Sequence, residues 1–196
     1  MTEFLPDWHG NQQKPDSSIV TFTGRVVDPI HPSPGDFDIV DIAHALSNSC
    51  RFTGHVREFY SVAEHSVRVA QWLYHHGLVV ALGGLLHDAS EAYLSDLARP
   101  IKQFSSLGDH YRAIEDRLQK EICVAFDTTY PILSLVREAD NTLLWAEIRD
   151  LMPPSEDPRL LQYTSKTLYR DKIIPWTPKE AKHRFMSEFR YLSLEV

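Results

Sequence analysis

His87, Asp88, Glu91 and Asp96 crowd into the stretch Leu85–Asp96, which reads Leu-Leu-His-Asp-Ala-Ser-Glu-Ala-Tyr-Leu-Ser-Asp. Each of these four side chains can bind a metal or move a proton. The run just upstream, Gly77 to Leu86, is almost wholly apolar. A helix through it is expected to be buried nearly all round and to carry His87 and Asp88 into low dielectric. A lone carboxylate there is costly unless a cation or hydrogen bonds compensate it. A metal ion would do so, because adjacent imidazole and carboxylate are ordinary ligands for Zn, Mn, Fe or Co. The alternative, a histidine closing the helix C-terminus beside a surface aspartate, stays open on spacing alone.

Two other polar residues interrupt apolar rows. On a helix opened by Ser61, His65 lies three residues after Val62, four before Val69 and seven before Trp72, which places it on the core-facing stripe. On a helix expected over Pro131–Met152, Asp140 follows Val136 by four and precedes Leu143 and Leu144, so it shares the buried face. An isolated core histidine needs only one hydrogen bond, but buried aspartates are rare and each needs a partner. His65, His87, Asp88 and Asp140 come from three helices, and a single metal site between helices of a bundle accounts for all of them together.

The elements that must position these groups are mostly helical. Ile19–Val27 is rich in β-branched residues and reads as a short strand or hairpin arm, followed by a Pro-rich loop to Gly35. Beyond it the apolar period is helical over Ile39–Ser49, Ser61–His75, Leu78–Asp88, Gly108–Phe126, Pro131–Met152 and Pro178–Leu194. Ser61-Val-Ala-Glu64 and Thr177-Pro-Lys-Glu180 match the capping-box pattern, the second with Pro at the first helical position. Residues 153–176 carry four prolines and read as a long connection with a short strand at Lys166–Asp171. The expected fold is mainly α: residues 1–18 a loosely held arm, and 19–196 one helical bundle with a small N-terminal β element. A chain of 196 residues suits a single domain. Its net charge of −7 argues against binding a nucleic acid polymer or an anionic membrane through bulk electrostatics. No long apolar run or leader pattern is present, so a soluble cytoplasmic protein is expected. Cys50 and Cys123 lack a CxxC context and read as reduced thiols.

The order His65, then the His87-Asp88 doublet, then Asp140 resembles the H…HD…D signature of the HD-domain metal-dependent phosphohydrolases. The longer pattern His-Asp-Ala-Ser-Glu-x-x-x-x-Asp-x-x-x-Pro-x-Lys over 87–102 is similar to the core motif of small bacterial and phage HD-domain 5′-nucleotidases and dATP-type triphosphohydrolases. Asp41–His55 with Phe59–His65 resembles a subgroup common in phage and prophage. The likeness covers roughly residues 19–150. It implies a divalent ion (Mn, Co, Zn, Mg or Fe) held by His65, His87, Asp88 and Asp140, a small-molecule nucleotide substrate, and a homodimer or larger assembly.

Glu91 falls one helical turn after His87; if the helix continues, it faces the metal without having to bind it. A carboxylate there can orient or deprotonate a water whose pKa the metal has lowered. The resemblance assigns Glu91 that catalytic role and Asp96 a supporting one. Phosphate needs cations, and Arg51, Lys102 and Arg137 are the candidates. Arg137, one turn before Asp140, is expected to point into the same cavity, and the family motif carries basic residues at the places of Arg51 and Lys102. Phe52, where the nucleotidases carry Trp, is a candidate for stacking on a base. His55 and Tyr60 are candidates for the same pocket wall, whereas His75 and His76 read as surface. The leading reading is therefore a phosphohydrolase of deoxynucleoside mono- or triphosphates. A signalling-nucleotide hydrolase and an inactive nucleotide-binding module are the alternatives.

Overall fold

The computed structural model describes residues 17–194. The arm expected over 1–18 therefore lies, but for its last two residues, outside the described residues. The protein is mainly helical, with one small sheet near the N-terminus. That sheet is a hairpin of β1 (Ile19–Val20) and β2 (Val26–Val27), antiparallel, with Ile19 opposite Val27 and Val20 opposite Val26. Its turn is pinned from below by one buried carboxylate. Asp41 accepts from the Thr21 hydroxyl at 2.8 Å and from the Thr23 N–H and hydroxyl, each at 2.7 Å.

Helix starts follow local capping chemistry. Helix α1 (Ile39–Asn48) opens at Asp38, whose side chain accepts from the Val40 N–H. Helix α2 (Val62–Trp72) opens at Ser61, which accepts from the Glu64 N–H. Glu64 does not return the bond of a full capping box. Its carboxylate is instead taken by Arg68 at 2.7 Å and by the Trp176 N–H at 2.7 Å, which ties the C-terminal segment to α2. Thr177 caps α9 (Pro178–Ser193) as expected, with Pro178 at its start.

The apolar run after Gly77 forms α3 (Leu78–Leu85), shorter than the expected Leu78–Asp88. Its second half is buried through Ala81, Leu82, Gly84 and Leu85, while Val79 is half exposed. The helix stops because the His87 imidazole Nδ1 folds back onto the Gly84 carbonyl at 2.7 Å, satisfying an acceptor that the next turn would have used. The chain then advances through tight turns, with the Ala89 N–H on the Leu86 carbonyl and the Glu91 N–H on the Asp88 carbonyl, into α4 (Glu91–Leu94). Ser95 ends α4 in the left-handed region, φ +69°. Helix α5 (Arg99–Phe104) carries Pro100 in its first turn. Helices α6 (Ser106–Ala125), α7 (Ser134–Leu151) and α8 (Pro158–Lys166) complete the bundle.

Helix α8 replaces the connection expected over 153–176, and Lys166–Asp171 holds no strand. Its start was written in the sequence: Asp157 accepts from the Arg159 N–H, and Pro158 occupies the first turn. Helix α2 lies at the centre, packed on α3, α7, α9 and α1. The core between these helices includes Leu46, Leu73, Leu85, Leu143, Phe185 and Leu192, all fully buried. The α2–α3 contact depends on Gly84. A Cβ there would lie 2.6 Å from Leu73 Cδ1 and 3.3 Å from Val69 Cγ1, whereas one at Gly83 meets only Val136 Cγ2 at 4.0 Å. Gly84→Ala is therefore expected to destabilise by about 1–3 kcal/mol through overpacking. Gly83→Ala should be neutral or stabilising by up to about 1 kcal/mol. Urea midpoints of the two variants give the comparison.

Candidate functional site

Three elements bring the expected ligands together. Helix α2 supplies His65, the turn after α3 supplies His87 and Asp88, and α7 supplies Asp140. Ligand atoms of His65, His87 and Asp88 lie within 4.8 Å of one another. Asp88 Oδ2 is 3.2 Å from His87 Nε2 and 3.8 Å from His65 Nε2. Asp140 joins from the His65 side, with Oδ1 3.2 Å from His65 Nε2 and Oδ2 3.5 Å from Arg99 Nη2.

The two imidazoles are oriented from behind. His87 Nδ1 faces the Gly84 carbonyl, and His65 Nδ1 faces Glu147 Oε1 at 2.5 Å. Both partners are acceptors, so each Nδ1 carries a proton and each Nε2 is left to face Asp88. Both Nε2 atoms are buried and have no hydrogen-bond partner. A buried polar atom left unmatched costs about 1–3 kcal/mol, and a neutral imidazole held through its other nitrogen is the form that ligates metals. The residues present thus fit a divalent cation.

Electrostatics set the protonation of these groups. Burial and the nearby Arg51 disfavour a charged His65, but Glu147 and Asp140 outweigh them and push it up to about 9. Against burial, the His87 and His65 imidazoles and Arg51 hold the Asp88 carboxyl far below the usual carboxylate range. The two shifts have opposite origins: the carboxylates draw a proton to His65, and the cationic neighbours keep Asp88 ionised. A divalent ion held there would displace the His65 proton.

Glu147 was missing from the sequence-based set, yet it is the hub behind the site. It is fully buried on α7 and receives His65 Nδ1, the Tyr60 hydroxyl at 2.9 Å and Arg51 Nε and Nη2, each at 3.2 Å. The signal was available, because Glu147 follows Asp140 by seven residues, two turns along the same face. Glu147→Ala would leave three buried donors without an acceptor, so a loss of about 3–5 kcal/mol is expected. Tyr60→Phe, which removes one neutral donor, should cost only about 1 kcal/mol. Chemical denaturation of the metal-free proteins measures both.

A cleft of about 580 Å³ opens above the ligands. Arg51, Phe52, Asp88, Glu91, Asp96, Lys102 and Asp140 line it, as the sequence led one to expect, together with His55. Two expectations fail. Tyr60 is fully buried beneath the cleft and serves Glu147. Arg137 is exposed and outside the lining, because Val136 takes the inward position on that turn of α7. Its place is taken by Arg99, which the sequence reading passed over: Arg99 lines the cleft and donates to Asn141 Oδ1 at 3.4 Å. His75 and His76 are on the surface, and His110 is exposed and outside the cleft.

Glu91 is buried, with Oε1 3.7 Å from Lys102 Nζ and Oε2 without a partner. Burial, then the charges of Asp88 and Asp96, raise its carboxyl well above the usual range, although Lys102 and Arg51 oppose them. Asp96 is raised as well, chiefly by burial. Arg51 reaches Asp88 Oδ2 at 3.5 Å, and Lys102 is held by Glu115 at 2.7 Å. The backbone at Phe52 and Thr53 is left-handed, φ +55° and +53°, a conformation that costs a residue with a Cβ about 1–2 kcal/mol. Such strain clusters where a side chain must be held in one place for function.

A protein from Escherichia coli (strain K12), the uncharacterized protein YfdR, is 34% identical over 179 residues, covering 90% of this chain and 96% of that protein. The chain belongs to the YfdR family. An uncharacterized protein from Rhodobacter capsulatus, RCAP_rcc00048, is 32% identical over 144 residues, covering 68% of this chain and 72% of its own length. No family model matches the chain. Among the described residues, no helix is long and apolar enough to cross a membrane.

Proposed function

We propose that this member of the YfdR family is a divalent-metal-dependent phosphohydrolase of the HD-domain type, acting on deoxynucleoside mono- or triphosphates. One observation carries the reading: two buried, unpartnered imidazole Nε2 atoms converge with Asp88 at the base of a cleft lined by Arg51, Arg99 and Lys102. His65, His87 and Asp88 would hold the ion, with Asp140 completing the set. A divalent ion bound there supplies Lewis acidity to a phosphoryl oxygen and lowers the pKa of water. Arg51 and Lys102 bind phosphate oxygens, and Arg99 extends the cationic wall towards α7. Glu91 holds or takes a proton at Oε2. Its raised pKa suits that task, since a carboxylate of ordinary pKa is a weak base at neutral pH. Asp96 hydrogen-bonds to substrate or water beside it.

The test is product release by protein stripped with a chelator and reloaded in turn with Mn, Co, Zn, Mg or Fe. Deoxynucleoside mono- and triphosphates are supplied, and phosphate, pyrophosphate and triphosphate are resolved by chromatography. Orthophosphate from a monophosphate, or triphosphate from a dNTP, only when metal is restored is the expected result. No turnover with any metal would remove the proposal.

A further inference from the structure

Beside the metal cleft lies a second cavity of about 490 Å³, between the chain at Phe52 and Arg57, the end of α7, and α8. Both cavities fall in the size range of small-molecule sites. They share Phe52 and Met152, so the two cavities adjoin at the rim these side chains form. On one side of it stands Arg51, adjacent in sequence to Phe52 and paired with Asp88. On the other side the wall is apolar, built from Ile148, Leu160 and Leu161 with Pro153 and Pro154.

The polar groups of this second wall are already engaged within the chain. Arg57 donates to the Asp150 carbonyl at 2.6 Å and to that of Leu151 at 3.4 Å. Arg149 donates to the carbonyls of Tyr169 and Asp171 at 2.9 and 3.0 Å, and to the Asp150 carboxylate. The Thr164 hydroxyl donates to the Leu160 carbonyl at 2.8 Å, and Ser155 Oγ accepts the Asp157 N–H at 3.2 Å. Both prolines lack an N–H. The cavity thus offers shape and apolar surface, with both of its guanidinium groups anchored to the chain itself.

We infer that this cavity receives the non-phosphate part of the substrate, an aromatic ring of nucleobase size, and selects it by bulk and not by its hydrogen-bonding edge. The inference rests on the phosphohydrolase reading, which places the phosphate on the Arg51 side of Phe52. A flat ring buries a large apolar area against such walls. The consequence for selectivity is quantitative. A pocket that hydrogen-bonds its ligand rejects the wrong one by about 10⁴–10⁵-fold, whereas an apolar pocket separates near-isosteres by about 10–200-fold at most. Bases of one size class are therefore bound within about 200-fold of one another, far short of the discrimination a hydrogen-bonding pocket gives.

The experiment measures binding by calorimetry to manganese-loaded Glu91→Gln protein, and hydrolysis by the wild type. The ligands are orthophosphate, phenyl phosphate, 1-naphthyl phosphate and the deoxynucleoside monophosphates. Affinity is expected to rise at least about tenfold from orthophosphate to the naphthyl ester, with dAMP and dGMP within about 200-fold of each other. Leu161, 56% exposed, can be enlarged with little risk to the fold. Added to that background, Leu161→Trp should fill the cavity and remove most of the naphthyl gain, with a smaller loss for the phenyl ester. A flat series, or a gain untouched by Leu161→Trp, overturns the inference. Hydrolysis of every ester by the wild type with a flat KM overturns the inference and leaves the phosphohydrolase reading standing. A rising series with no hydrolysis leaves the ring-binding cavity standing and, where no dNTP is hydrolysed either, removes the phosphohydrolase reading. Failure of every ligand to bind overturns the inference.

Discussion

Asp88→Ala is expected to release the metal and to lower turnover by about a thousandfold or more. Asp88 Oδ2 is the atom towards which His87 Nε2, His65 Nε2 and Arg51 Nη1 converge, at 3.2, 3.8 and 3.5 Å. Deleting it removes one proposed ligand and one negative charge, and leaves the Arg51 guanidinium facing the two imidazoles without its screen. The local potential then no longer favours a second cation. Lewis acidity contributes several kcal/mol to a phosphoryl transition state, and each 1.36 kcal/mol is tenfold in rate. The fold should survive, because Asp88 retains 22% of its side-chain surface at the cleft and Arg51 keeps its bonds to Glu147. Elemental analysis after gel filtration, with far-ultraviolet circular dichroism as the check on folding, reads the two effects separately. Metal retained at the wild-type level in a folded Asp88→Ala protein would remove Asp88 from the ligand set.

Much of this site was legible because its residues break a pattern. His65 and Asp140 stand in apolar rows of α2 and α7, and a helical period fixes which way such residues point. The hairpin at Ile19–Val27 was legible for a similar reason, since β-branched residues flank a Thr-Gly turn. What escaped was decided by competition that no period records. Leu78–Asp88 reads as one apolar helix, but the His87 imidazole captures the Gly84 carbonyl and ends it at Leu85. Glu91 still reaches the cleft, through tight turns and not through a continued helix. Ser95 bends the chain with positive φ although it is not glycine, so the local turn chemistry did not announce how Asp96 enters the cleft, and only the resemblance marked that residue. Arg137 and Val136 both neighbour Asp140 on the helix, and only packing against α2 and α3 decides which of them is inward. Glu147 and α8 are different, because the heptad spacing from Asp140 and the Asp157-Pro158 start were both in plain view.

Glu91→Gln separates binding from chemistry, because the amide keeps the shape of the side chain and removes its ability to exchange a proton. Metal content should stay at the wild-type level, since Glu91 is not among the groups that converge on His65 and His87. Turnover should fall by about 10²–10⁴-fold, the usual contribution of a general base. Near-normal turnover would end the role assigned to Glu91. The same substitution tests what the site costs the fold. Glu91 buries a carboxyl whose Oε2 has no partner, and its folded pKa stands well above the ordinary value of 4.5. A group raised in this way favours the folded state fully below its unfolded pKa, and that contribution is lost as pH rises towards the folded value. In chelator, wild-type stability should therefore decline as pH climbs from about 4.5 relative to Glu91→Gln, which cannot titrate. Urea midpoints taken across that range should show the variant gaining on the wild type. Parallel pH curves would mean that Glu91 is ionised as readily in the folded protein as in the unfolded chain. A variant that gains stability while losing turnover would show that the buried carboxyl is kept for chemistry, at the expense of the fold.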